Sequence, residues 1–124
     1  MAREKVLFNR KTEEYRLHVD DFNSGMSLAV LVSELATSLL VEGDDVVVLC
    51  IGTDRCTGDA LGPLIGTRLQ RSGLHHVHVY GTLENPVHAT NLQETLEQLQ
   101  ARHKQSLIIA IDACLGRIDN VGNI

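Results

Sequence analysis

The sequence predicts an α/β fold built around a mainly parallel sheet. Three observations lead to it. The run "VVVLCI" (46–51) is apolar without alternation, which suits a strand covered on both faces. Segments of helical period alternate with strand-like ones in the order helix, strand, helix, strand, helix, strand. Glycine-bearing polar loops follow the strands, where a fold of this kind keeps its ligands.

The first helix is expected over Met26–Leu40, where Leu28, Leu31, Val32, Leu35, Leu39 and Leu40 recur at helical spacing and make one broad apolar face for packing on the sheet. Asn23 or Ser24 is placed to cap its start, and the glycine of "EGDD" (42–45) to close it. After the first strand, "GPLIGTRLQRSG" reads as a short helix opened by Pro63 at its first position and ended by Gly73. "HVHVYG" (76–81) is the second strand. In "NLQETLEQLQARHK", Leu92, Leu96 and Leu99 with Glu and Gln between them mark an amphipathic surface helix. "SLIIAID" (106–112) is the third strand, apolar until its last residue. Right-handed crossovers set the three strands parallel, with the first at the centre.

A chain of 124 residues has room for one domain, 1–124, and one core. A net charge of -5 gives no basic footprint, so neither nucleic acid nor an anionic membrane is expected as a partner. The N-terminal "MAREKVLFNRKTEEYR" is too charged for a secretory signal, and no run of eighteen apolar residues occurs, so a cytoplasmic location is the expectation. Cys50, Cys56 and Cys114 are odd in number and lack zinc-like spacing, so reduced thiols are expected, with no metal and no cofactor.

The chemistry concentrates at the ends of two strands. "GTDRCTGD" follows the first and Asp112 in "AIDACLGR" closes the third. Glycines 52, 58 and 62 allow the backbone to turn tightly there and to approach a ligand. The loop lacks the G-K-[ST] of a P-loop and the G-x-G-x-x-G of a dinucleotide site. Asp59 just before a helix reads either as a cap or, with Pro63 at the first helical position and Gly62 as cap, as a carboxylate left for other work. Asp112 reads either as a strand-end residue bonded to loop amides or as a site acid. Asp54 is the simple partner of Arg55 or a turn former. His88 in "ENPVHATN" opens the third helix from a loop at the same edge of the sheet, and Cys56 is a weaker candidate nucleophile beside it. His76 and His78 share one face of a strand, a metal-compatible spacing that lacks an acid or cysteine nearby in sequence.

"IGTDRCTGDALGPLIGTRL", "VYGTLENPVHATNL" and "IIAIDACLGRIDNVG", in that order, resemble the YyaC-type sporulation proteins of spore-forming Firmicutes. That family is similar to the germination protease that degrades small acid-soluble spore proteins and, more distantly, to the hydrogenase maturation proteases. The resemblance implies a three-layer Rossmann-like phosphorylase/hydrolase-like fold. It also implies that the sheet continues beyond Ile124, so that 1–124 is a C-terminally truncated version with an apolar sheet edge able to form a homo-oligomer. In the germination protease, an atypical aspartic peptidase, the "DALGP" and "IDA" motifs each supply an essential aspartate; they transfer to Asp59 and Asp112. Where this chain has Cys56, the family pattern has serine.

The resemblance thus implies a sporulation-associated peptidase acting on a protein or peptide substrate, including spore proteins, in the cytoplasm of the sporulating cell or forespore. Two carboxylates held close share a proton, so one polarises the scissile carbonyl while the other activates water. Asp59 and Asp112 are the expected catalytic pair, with Arg55, Gly58 and His88 binding substrate. Two alternatives stand beside it: a maturation-type protease in which Asp59, Asp112 and His88 recognise a divalent cation, and a non-enzymatic spore protein that binds a partner.

Overall fold

The computed structural model describes residues 13–124; most of the charged N-terminal stretch lies outside them. The described residues fall into two compact units. One is the segment ending at Val32 together with Arg117–Ile124, and the other is Ser33–Gly116. In the first unit the chain pairs antiparallel around His18 and Asn123. Leu17 and Ile124 exchange backbone hydrogen bonds, and the Val19 amide donates to the Gly122 carbonyl. Helix α1, Ser24–Leu39, spans the boundary between the units. It starts after Asn23, whose φ of 70° is left-handed, and none of its residues is buried.

The second unit carries the sheet: β1 (Asp45–Ile51), α2 (Leu61–Arg71), β2 (Val77–Tyr80), α3 (Leu92–Arg102) and β3 (Ser106–Asp112). All pairings are parallel, and the strand order is β2-β1-β3. The bounds of the third strand and the central place of the first match the expectation. So does burial: Val47, Val48, Leu49 and Cys50 are buried in succession, which requires cover on both faces of β1.

Register sorts the side chains by face. Asp45, Val47 and Leu49 lie abreast of His78 and Tyr80 on one side and of Ser106, Ile108 and Ala110 on the other, so they share one face. Val46, Val48 and Cys50 share the opposite one. α2 lies on the Cys50 face, where a Cβ on its Gly66 would collide with the Gly81 carbonyl and sit 3.3 Å from the Cys50 Cβ. His103, the C-cap of α3, meets Tyr80 and Asp45 on the other face. The chain steps outward from β1 to β2 and back across β1 to β3, so right-handed crossovers must use opposite faces. β3 shows alternating exposure, Ile108 and Ala110 being open, although its sequence has no such alternation.

Two sequence expectations are corrected here. α2 begins at Leu61 with Ala60 as its cap, so Pro63 is at the third helical position rather than the first. The first-turn amides have no intrahelical acceptor in any case, so proline costs little there. β2 begins at Val77, and His76 is an exposed left-handed residue (φ 65°) before it rather than the face partner of His78.

Gly81 ends β2 with a φ of 90°, and a Cβ there would run into the Cys50 carbonyl. Gly81→Ala should therefore destabilise by more than about 1 kcal/mol, because both conformation and space exclude the methyl. Leu99, fully buried on α3, should cost about 2–5 kcal/mol when cut to alanine, against less than about 0.5 kcal/mol for the fully exposed Leu115. Urea midpoints of the three variants check the ranking.

Candidate functional site

The carboxyl edge of the sheet is organised around the end of β1. Ile51 is abreast of Asp112 in β3 and forms an isolated parallel bridge with Val87 on its other side. The Gly52 amide donates to the Val87 carbonyl at 2.8 Å, which ties the loop after β2 to the loop after β1. The Thr53 amide donates to the Asp59 carbonyl at 3.0 Å, folding "TDRCTGD" back on itself through a short 3-10 turn, Thr57–Asp59. A Cβ on Gly52 would strike that same carbonyl, so only glycine lets the loop close so tightly.

Asp59 and Asp112 thus leave adjacent strands at one edge, Asp59 half-buried and Asp112 exposed. Asp59 directly precedes the Ala60 cap of α2, and no side-chain capping bond is made at that end. His88 follows the bridged Val87; its amide donates to Asn91 Oδ1, and its Nδ1 is 2.6 Å from Thr90 Oγ1. A groove of ≈ 390 Å³ opens beside it, walled by Tyr80, Asn85, Pro86, Asn91 and Gln98. Arg55 is exposed, its amide bonded to Thr53 Oγ1. Gly58 has open space around it and no positive φ, so no steric demand for glycine acts there. Cys56 and Cys114 are exposed, whereas burial pushes the Cys50 thiol up and away from thiolate chemistry.

A second cluster lies at the opposite, amino end of the sheet. Asp45 opens β1, His78 is the second residue of β2, and His103 caps α3. His103 Nδ1 is 2.9 Å from Asp45 Oδ2, and its Nε2 is 2.8 Å from the Tyr80 hydroxyl. His78 Nε2 is 3.8 Å from Asp45 Oδ1, and the two imidazole rings stand 4.3 Å apart. Among the described residues, the His, Cys, Asp and Glu side chains grouped closely enough to share one ion are these three, not Asp59, Asp112 and His88. The sequence reading missed Asp45 and His103 because both are distant in the chain from His78. The available signal was pleat parity: an acid two residues before Val47, the residue that pairs with His78.

Residues 17–124 match the family described as protein of unknown function (DUF1256). The chain belongs to the DUF1256 family. It is 42% identical over 125 residues to the uncharacterized protein YyaC of Bacillus subtilis (strain 168), an alignment covering 99% of this chain and 60% of that protein. The chain thus spans less than two thirds of the length of this DUF1256 relative. No solved structure matches it. Both clusters lie within the DUF1256 span, and no helix among the described residues is long and apolar enough to cross a membrane.

The hydrogen bond from His103 holds the Asp45 carboxyl below the ordinary aspartate value of 3.8, with His78 adding to the effect and desolvation opposing it. A depressed folded-state value contributes stability that is present above pH 3.8 and lost as pH falls through the folded value. In chelator-treated protein, the melting temperature of the wild type should therefore fall more steeply below that pH than that of Asp45→Asn. Parallel acid limbs would show that the pair contributes nothing.

Proposed function

We propose that this DUF1256 chain is a carboxylate-dependent peptidase whose site is the carboxyl edge of the sheet, with Asp59 and Asp112 as the acid–base pair. The supporting observation is the register. Asp112 ends β3 abreast of Ile51, while Asp59 is folded back onto Thr53 just beyond the same strand. Adjacent parallel strands therefore deliver two carboxylates to one edge, where α/β sheets take their ligands.

The chemistry asked of the pair is proton transfer: one carboxylic acid polarises the scissile carbonyl and the other, ionised, takes a proton from the attacking water. The two act as a unit, so neither is given a fixed role. In this reading the groove of ≈ 390 Å³ beside His88 receives part of the substrate, and Arg55, on the exposed loop, meets a substrate carboxylate or carbonyl. Resemblance to the germination protease makes a spore protein the first substrate to try.

The test uses this chain and the longer YyaC protein with a spore-protein extract, followed by mass spectrometry of the products. Cleavage by the unsubstituted proteins should fall about 100-fold or more in Asp59→Asn and in Asp112→Asn, with little further loss in the double variant. Cleavage undiminished in the double variant would sink the reading. A folded protein that cleaves nothing, yet retains a partner from the extract equally well with and without the aspartates, would favour a binding protein.

A further inference from the structure

The amino end of the sheet holds a separate constellation, and we propose that Asp45, His78 and His103 form a binding site for a divalent transition-metal ion of the zinc class. The ligand atoms of the three side chains all lie within 4.8 Å of one another. Around a tetrahedral zinc with bonds near 2.0–2.1 Å, ligand atoms stand about 3.3 Å apart. Asp45 reaches the two histidines through different oxygens, Oδ2 at 2.9 Å from His103 Nδ1 and Oδ1 at 3.8 Å from His78 Nε2, so both imidazoles are near that spacing from the one carboxylate. Small rotamer adjustments close the set on one ion.

Three features favour a metal over a hydrogen-bonded pin. A pin needs only Asp45, His103 and Tyr80, the chain of contacts at 2.9 and 2.8 Å. His78 is superfluous to it, yet its ring lies against that of His103 and its Nε2 reaches Asp45 only at 3.8 Å, a looser tie than the 2.9 Å contact of His103. Second, Tyr80 holds the nitrogen of His103 that faces away from Asp45, which is how an outer hydrogen bond fixes the ring of a metal-bound histidine. Third, burial is graded. The His103 side chain is 9% exposed while those of His78 and Asp45 are 44% and 46% exposed. The site is anchored inside and open outside, and His78 also lines a groove of ≈ 410 Å³ together with Tyr80, Leu74 and Arg102.

Two imidazoles and one carboxylate suit zinc, cobalt or iron rather than magnesium or calcium, which prefer all-oxygen sites. Three protein ligands leave a fourth position for water. In the metal-bound state Nδ1 of His103 gives its lone pair to the ion and Nε2–H donates to the Tyr80 hydroxyl. Without metal, Nδ1–H donates to Asp45 and Nε2 accepts from Tyr80.

Titration of the untagged chain with zinc chloride by calorimetry tests the site. A background of Cys56→Ser and Cys114→Ser removes the exposed thiols that would bind zinc on their own. One ion per chain is expected, with affinity falling at least 100-fold in His78→Ala and about 10-fold in Tyr80→Phe, and with no comparable binding of magnesium. Equal affinity in wild type and His78→Ala would overturn the proposal. An independent readout needs no substitution in the site: on addition of zinc, the imidazole NMR signals of His78 and His103 should shift and His103 should change tautomer. Shifts at the exposed His75 and His76 instead, or none at all, would equally overturn it.

Discussion

Everything in the second unit depends on β1 being covered on all sides. It is the strand that both others pair with, its four central residues are buried, and the backbone at its end is approached by Gly62 of α2 and by Gly81 after β2. The close contact of Gly81 and Gly66 with Cys50 is the tightest expression of this. α2 is set down almost backbone to backbone on the strand, so its position is fixed by steric exclusion rather than by side-chain choice. The loop that leaves β1 is then held between a bridge to Val87 and a hydrogen bond to Asp59. A polar loop can keep a definite shape at an exposed edge because its roots are rigid.

The sheet was legible in the sequence because its strongest signal is local. Six apolar residues without alternation cannot sit at a wet edge, and helix-period segments on either side leave a parallel crossover as the economical solution. Signals that depend on a distant partner were not legible. The start of α2 was misplaced because proline is tolerated throughout the first turn, so Pro63 marks the turn but not its first residue. The exposed face of β3 was invisible for a similar reason: Ile108 and Ala110 are apolar wherever they point, and what covers them is not written in their own segment. At the carboxyl edge the sequence indicated which residues share an edge, since strand polarity decides that. The Asp45, His78 and His103 cluster required the register itself, because the three come from segments that meet only when β1 is paired and α3 has turned back over it.

The two ends of the sheet have different characters. At the carboxyl end one acid stands on a loop and the other on the last residue of β3, with a groove nearby. At the amino end, strand and helix termini bring a carboxylate, two imidazoles and a phenol into direct contact. The seven residues of β1 keep these regions about 20 Å apart. Tyr80 nevertheless belongs to both: it walls the groove beside His88, and its hydroxyl contacts His103 Nε2.

The pairing register also sets how much chain each strand pair must close. β2 meets β1 after closing a short loop, whereas the loop closed by β3 is about twice as long, which adds about 0.6 kcal/mol of closure entropy. Asp112 is carried by β3, and Asp59 by the loop that joins β1 to α2. The proposed carboxylate pair is therefore complete only where β3 is paired with β1, since a chain without β3 keeps Asp59 and lacks Asp112.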